Sequence, residues 1–168
     1  MEDSPSARLF NMLIIIDGYN LLRCVQNIEE YQNLDEAGLC RFISEYLQRV
    51  RTYGQIIFDG IGPPDKSELG GIDNLEVYFS GENLEADDII IEKIEEYSAP
   101  KNMVVVSSDR QIRSAATRKK ATAVTSDIFW LSMIEQLDKK KPTPMPKEKR
   151  HGLNESETDA WMDEFGLD

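Results

Sequence analysis

Leu13-Ile14-Ile15-Ile16 is an unbroken apolar run halted by Asp17-Gly18, the pattern of a strand buried on both faces of a parallel sheet. From Asp35 to Tyr53 the apolar positions Leu39, Phe42, Ile43, Tyr46, Leu47 and Val50 predict an amphipathic helix, with Gly54 as its stop signal. Gln55 to Phe58 is a second short apolar run ending at Asp59-Gly60, and the Gly- and Pro-rich stretch from Ile61 to Asp73 reads as loop. Leu75 to Phe79 predicts a third strand, followed by a turn at Ser80-Gly81 and a helix from about Leu84 to Tyr97 that buries Ala86, Ile90, Ile94 and Tyr97. Met103 to Val106 is a fourth apolar run, after which Asp109 caps a helix carrying Ile112, Ala115 and Ala116. Thr122 to Val124 is a short last strand, and Ser126 caps a final helix through Phe129, Trp130, Met133, Ile134 and Leu137. Strands that alternate with helices imply an α/β fold with a parallel, doubly wound sheet.

The periodicity stops at Leu137, so the core is expected over residues 12–138, preceded by a flexible N-terminus over 1–11. The Lys- and Pro-rich stretch 139–153 predicts an extended linker. Asn154 with Glu157 then opens a C-terminal helix over 154–168 whose Trp161, Met162 and Phe165 share one face. A helix that short must dock. Its own core is the favoured surface, with the ribosome or another protein as the other candidate partner.

Composition narrows the class. At 168 residues, 40% hydrophobic and 30% charged, the chain is expected to form one soluble domain with a tail. Glu2, Asp3 and Pro5 stand where a secretory signal would be basic and then apolar, and Met12 to Ile16 is too short to span a bilayer, so a cytoplasmic protein without a membrane role is expected. Cys24 and Cys40 form neither a CxxC pair nor a zinc-type cluster. The net charge of −12 is unusual for a nucleic-acid binder. Arg110, Arg113, Arg118, Lys119 and Lys120 nevertheless form a locally basic segment against Asp109 alone. Taken alone such a run is more often a solvated helix face.

The chemistry lies in the acids. Ligands of an open parallel sheet bind beyond the carboxyl ends of its strands. Asp17, Asp59 and Asp109 follow three of those ends, and Glu85, Asp87 and Asp88 open the helix after a fourth. Each acid singly is explained by a helix dipole or a turn. Acids at four successive strand ends are not, because like charges so placed repel and call for a cation. Carboxylate oxygens without His or Cys suit Mg²⁺ or Mn²⁺, the ions of metal-assisted phosphodiester hydrolysis. Glu85 and Asp88 are three apart on one helix face, which ranks Asp88 above Asp87. Asp17, Glu85, Asp88 and Asp109 are then the expected ligands, with Asn20 placed to bind the attacking water or a phosphate oxygen and Arg110 to clamp the substrate backbone.

Asp17-Gly18-Tyr19-Asn20-Leu21-Leu22, Phe58-Asp59-Gly60, Glu85-Ala86-Asp87-Asp88, Ser107-Ser108-Asp109-Arg110 and Ser126-Asp127-Ile128-Phe129-Trp130 occur in this order. As a set they resemble the YacP-like branch of NYN domains, which are similar to PIN nucleases. The resemblance implies a PIN-like three-layer sandwich with a central parallel sheet over residues 12–138. It further implies an RNA endonuclease with a Mg²⁺ or Mn²⁺ site, and Asp17, Asn20, the Glu85 to Asp88 cluster and Asp109 as matching positions. Asp59 also matches an acid of the family, with a weaker claim as a ligand. On this reading RNA is the substrate and Arg110, Arg113, Lys119 and Lys120 are its candidate contacts.

Neighbouring classes fit less well. The five-prime nucleases attending DNA polymerases carry a second acid where Gln111 stands, and a haloacid-dehalogenase phosphatase needs an Asp where Tyr19 stands. DGYNLL is not the glycine-rich turn of a dinucleotide-binding fold. The remaining rival is a non-catalytic RNA-binding or adaptor protein on a PIN-like scaffold. A pure phosphate-binding surface, however, gains nothing from a repelling carboxylate cluster.

Overall fold

A computed structural model describes residues 12–139. In chain order its elements are β1 (Leu13–Asp17), α1 (Gly18–Gln26), α2 (Glu36–Val50), β2 (Tyr53–Phe58), β3 (Leu75–Phe79), α3 (Ala86–Glu96), β4 (Met103–Val106), α4 (Arg110–Arg118), β5 (Thr122–Val124) and α5 (Ser126–Asp138). The five strands form one sheet in the order β3-β2-β1-β4-β5, and every neighbouring pair is parallel. The chain therefore winds outward from β1 to β3, returns beside β1 as β4, and continues to β5. The winding direction changes between β1 and β4, and there the loops at the strand ends part and leave a crevice.

Side-chain alternation along the strands divides the core in two. Ile14 and Ile16 of β1 pack with Leu21, Leu22 and Val25 of α1, Leu39 and Ile43 of α2, and Phe129 and Met133 of α5. Ile15 faces the other way, into Ile90 and Ile94 of α3 and Ile112, Ala115 and Ala116 of α4. The result is the three-layer α/β/α sandwich expected of the sequence. By the same period of two, Asp17 leaves β1 on the Ile15 face, toward α3 and α4.

The sequence pattern departs from the structure at three places. Gly54 does not stop α2, which ends when Arg51 turns left-handed at φ 57. Gly54 instead lies inside β2, where a Cβ would come within 2.9 Å of Leu47 Cδ1 and 3.3 Å of the Ile14 carbonyl oxygen. Thr125, not Ser126, occupies the N-cap of α5. Finally, α1 begins directly on the last residue of β1, with no intervening loop, in a stretch to which the hydrophobic pattern assigns no element.

The expected N-terminal segment 1–11, linker 139–153 and tail helix 154–168 lie, apart from Lys139, outside the described residues. No helix among the described residues is long and apolar enough to cross a membrane.

Gly18 is what permits the abrupt strand-to-helix junction. A Cβ there would stand 2.5 Å from Phe58 Cδ1 and 2.9 Å from the carbonyl oxygen of Ile57. The ring can shift, but the β2 carbonyl belongs to the sheet and cannot. Ala would favour a helix by ~1 kcal/mol over Gly in the abstract. The overlap reverses that sign, and Gly18→Ala is expected to cost about 1–3 kcal/mol by forcing α1 away from β2. Urea denaturation of the two proteins measures it, and an unchanged or higher midpoint would contradict the close approach.

Candidate active site

The crevice predicted by the topology is a cleft of about 300 Å³ lined by Asp17, Tyr19, Asn20, Arg23, Asp59, Glu85, Ala86, Asp87 and Asp109. Five carboxylates from the ends of β1, β2 and β4 and the start of α3 thus share one concavity, with Asp87 rather than the expected Asp88 among them.

Asp17 is held from β4. The hydroxyl of Ser107, a fully buried side chain, donates to Asp17 Oδ2 at 2.9 Å and accepts the backbone N–H of Asp109 at 3.0 Å. Ionised Asp17 can only accept, so the Ser107 proton points at it while a hydroxyl lone pair takes the Asp109 N–H. Burial pushes the Asp17 carboxyl up to about 6, and the charges of Asp109 and Asp87 add to the rise, while the Ser107 hydrogen bond and the charge of Arg23 oppose it. Asp109 also works as the cap read from the sequence: its Oδ1 accepts the N–H groups of Gln111 and Ile112 at 2.8 and 3.2 Å. Its second oxygen is left to the cleft.

Asp59 Oδ1 accepts the Ala86 N–H at 2.9 Å and so ties the end of β2 to the start of α3. Glu85, Asp87 and Asp88 each place a carboxylate oxygen within 4.8 Å of the other two. Mutual repulsion raises the Glu85 carboxyl, with Asp87 and then Asp88 as the largest contributors. Spacing from Glu85 alone favours Asp88, but Asp87 is the one that lines the cleft and the less exposed of the two. Asp88 Oδ2 turns back to accept the Glu85 N–H at 3.3 Å, a helix-capping bond.

Asn20 has a bracing task besides the one its position suggests. Its Oδ1 accepts the Ser108 N–H at 2.9 Å and the hydroxyl of fully buried Ser126 at 2.6 Å. The Ser126 N–H in turn donates to Ser108 Oγ at 3.2 Å. A backbone N–H fixes which end of the amide faces it, so the carbonyl ties the start of α1 to the segments that follow β4 and β5. What Asn20 can offer to the cleft is its NH₂ group, a donor to a phosphate or water oxygen.

None of the expected RNA contacts lines the cleft. Arg110 opens α4 beside Asp109, but does not line the cleft; Lys119 and Lys120 follow the other end of that helix, and Arg113, like all of them, is exposed. A helix of this length carries its far end about 13 Å from its start. The cation that does line the cleft is Arg23, which the sequence reading passed over. Arg23 is three residues after Asn20 and four after Tyr19, neighbours on one helix face. Recognising α1 would have revealed it. Ser107 is the other omission, detectable only from the pairing of β4 beside β1.

Comparison with known proteins agrees with the fold. No curated protein matches the chain. A crystal structure of Rae1 (YacP) from Bacillus subtilis is similar in fold, with a TM-score of 0.60 and 18% identity over 89% of this chain and 85% of that one. A crystal structure of a tryptophan-to-leucine mutant of the same Bacillus subtilis protein gives 0.55 and 16% over 91% and 92%. The sequence model of the YacP-like NYN domain matches residues 14–165, nearly the whole chain. The chain therefore belongs to the YacP-like NYN domain family, an α/β family of nuclease-like character.

Proposed function

We propose that this protein is a divalent-metal-dependent endoribonuclease that hydrolyses internal phosphodiester bonds of RNA. The observation that carries the reading is the convergence of Asp17, Asp59, Glu85, Asp87 and Asp109 on one cleft at the switch point of the sheet, with the Asp17 carboxyl pushed up to about 6 by burial among like charges.

The donor set fits a hard cation. The lining holds carboxylate oxygens and no imidazole or thiolate, which suits Mg²⁺ or Mn²⁺ rather than zinc. Asp17, Asp109, Asp87 and Glu85 are the residues proposed to hold it, with Asp88 beside them and Asp59 chiefly occupied in bracing α3. A bound ion supplies charge neutralisation that admits a phosphodiester among the acids, and a Lewis acid that activates water and stabilises the leaving oxygen. The protein's own part is placement. Ser107 holds one oxygen of Asp17 and leaves the other for the cleft. The α4 cap does the same for Asp109, and the Ser108 and Ser126 bonds present the Asn20 amide as a donor. Such fixed groups lower a barrier because they need not reorganise as charge develops.

Cleavage of a mixed RNA pool with Mg²⁺, with Mn²⁺ and with chelator, followed by mapping of the new ends, tests the reading. Internal cuts that require metal are expected. Cleavage that persists under chelation, or no cleavage with either ion, would overturn it.

A further inference from the structure

The cleft that admits a polyanion is lined by five carboxylates and one cation, Arg23. A cation in such company ordinarily pairs with an acid. Among the described residues Arg23 makes no ion pair and no hydrogen bond; its guanidinium instead lies over the ring of Tyr19, 5.8 Å from the centroid. The ring is itself fixed. Tyr19 OH donates to Glu36 Oε2 of α2 at 2.6 Å, and the ring packs on Phe58 at 4.9 Å between centroids.

Tyr19 thus serves as a bracket that holds the guanidinium at the cleft while leaving its N–H donors uncommitted. An arginine held near an aromatic face by a cation–π contact is partly oriented before binding and presents a planar fork matched to two phosphate oxygens. Arg23 acts on Asp17 only through its charge at a distance; it makes no ion pair with that acid, so its N–H donors are not used up there. Closing the helix dipole does not require the residue to line the cleft.

Building on the nuclease reading, we infer that Arg23 is the phosphate-binding residue of the cleft and grips a backbone phosphate of single-stranded RNA adjacent to the bond being cut. The exposed cations of α4 then act, at most, on more distant parts of the strand. Arg23 is a substrate-positioning group, and its loss should weaken binding more than it slows the chemical step.

The test measures binding of a labelled single-stranded RNA in Mg²⁺ at several salt concentrations, using full-length Asp17→Asn protein so that cleavage does not intervene. Adding Arg23→Gln is expected to weaken binding about tenfold and to reduce the salt dependence by about 0.7 in log–log slope, one phosphate contact on a single strand. Arg23→Lys should recover the slope but only part of the affinity, since it keeps the charge and loses the fork. Thermal melting of each variant guards against misfolding. In otherwise wild-type protein Arg23→Gln should raise KM more than it lowers kcat. Unchanged affinity and slope in Arg23→Gln would overturn the assignment. If RNA binds with this dependence but the wild type does not cleave it, the nuclease reading fails and the Arg23 site stands. If neither protein binds RNA, both fall.

Discussion

Asp17→Asn is expected to reduce RNA cleavage by on the order of a hundredfold or more and, at the same time, to raise the stability of the metal-free protein near neutral pH. The two effects share a cause. Burial lifts the Asp17 carboxyl from 3.8 to about 6. Folding therefore favours the protonated form, and the ionised form is a burden on the native state. That burden is fully present above about 6, fades as pH falls through that value, and is gone below the unfolded value of 3.8. Its ceiling is about 3 kcal/mol, from ~1.36 kcal/mol per unit. Asparagine removes the charge yet keeps an oxygen for the Ser107 hydroxyl, so little packing is lost. Urea midpoints should favour the variant near pH 7 and converge near pH 4. A variant less stable at pH 7 would show that the Ser107 bond outweighs desolvation. Undiminished cleavage would remove Asp17 from the reaction.

What the sequence made legible follows from how a buried parallel sheet is built. β4 was readable at its observed limits because a strand covered on both faces appears as a short apolar run between turn residues, and β3 and β5, at the sheet edges, from their β-branched and aromatic residues between turn signals. The acids were readable as a set because strand ends of one sheet must face one edge. Other features depend on contacts between distant segments. The stripe of α1 is short, Leu21, Leu22 and Val25, and its N-cap is the last residue of a strand, so neither loop nor separate cap announces it. Gly54 carries the same letter as a helix stop, and only its closeness to Leu47 and Ile14 explains its place in β2. Linear clustering drew attention to Lys119 and Lys120, whereas the helix that precedes them runs away from the cleft. Arg23 stands alone in sequence and becomes significant only when Tyr19 is seen beneath it.

The same distinction separates Asp87 from Asp88, and substitution of each should give opposite signatures. A helical wheel can say which residues share a face with Glu85, but not which face meets β1. The packing of α3 on β1 turns Asp87 into the cleft and leaves Asp88 at the third helical position, where its carboxylate closes on the Glu85 N–H. Asp88→Ala is expected to lower stability slightly, since the lost capping-box bond outweighs the relief of repulsion on Glu85, and to retain much of the cleavage activity. Asp87→Ala is expected to leave the metal-free stability unchanged or raised, because it relieves repulsion on Asp17 and Glu85, and to abolish most of the activity. Melting in Mn²⁺ or Mg²⁺ separates the roles further. A ligand that binds only the folded state stabilises it by ~2.7 kcal/mol at a hundredfold excess over Kd. Wild type and Asp88→Ala should both gain a shift of that kind, whereas Asp87→Ala should gain little. Equal metal-induced shifts in all three proteins would mean that neither side chain holds the ion. A shift lost in Asp88→Ala but kept in Asp87→Ala would return the leading role to the residue that helical spacing first favoured.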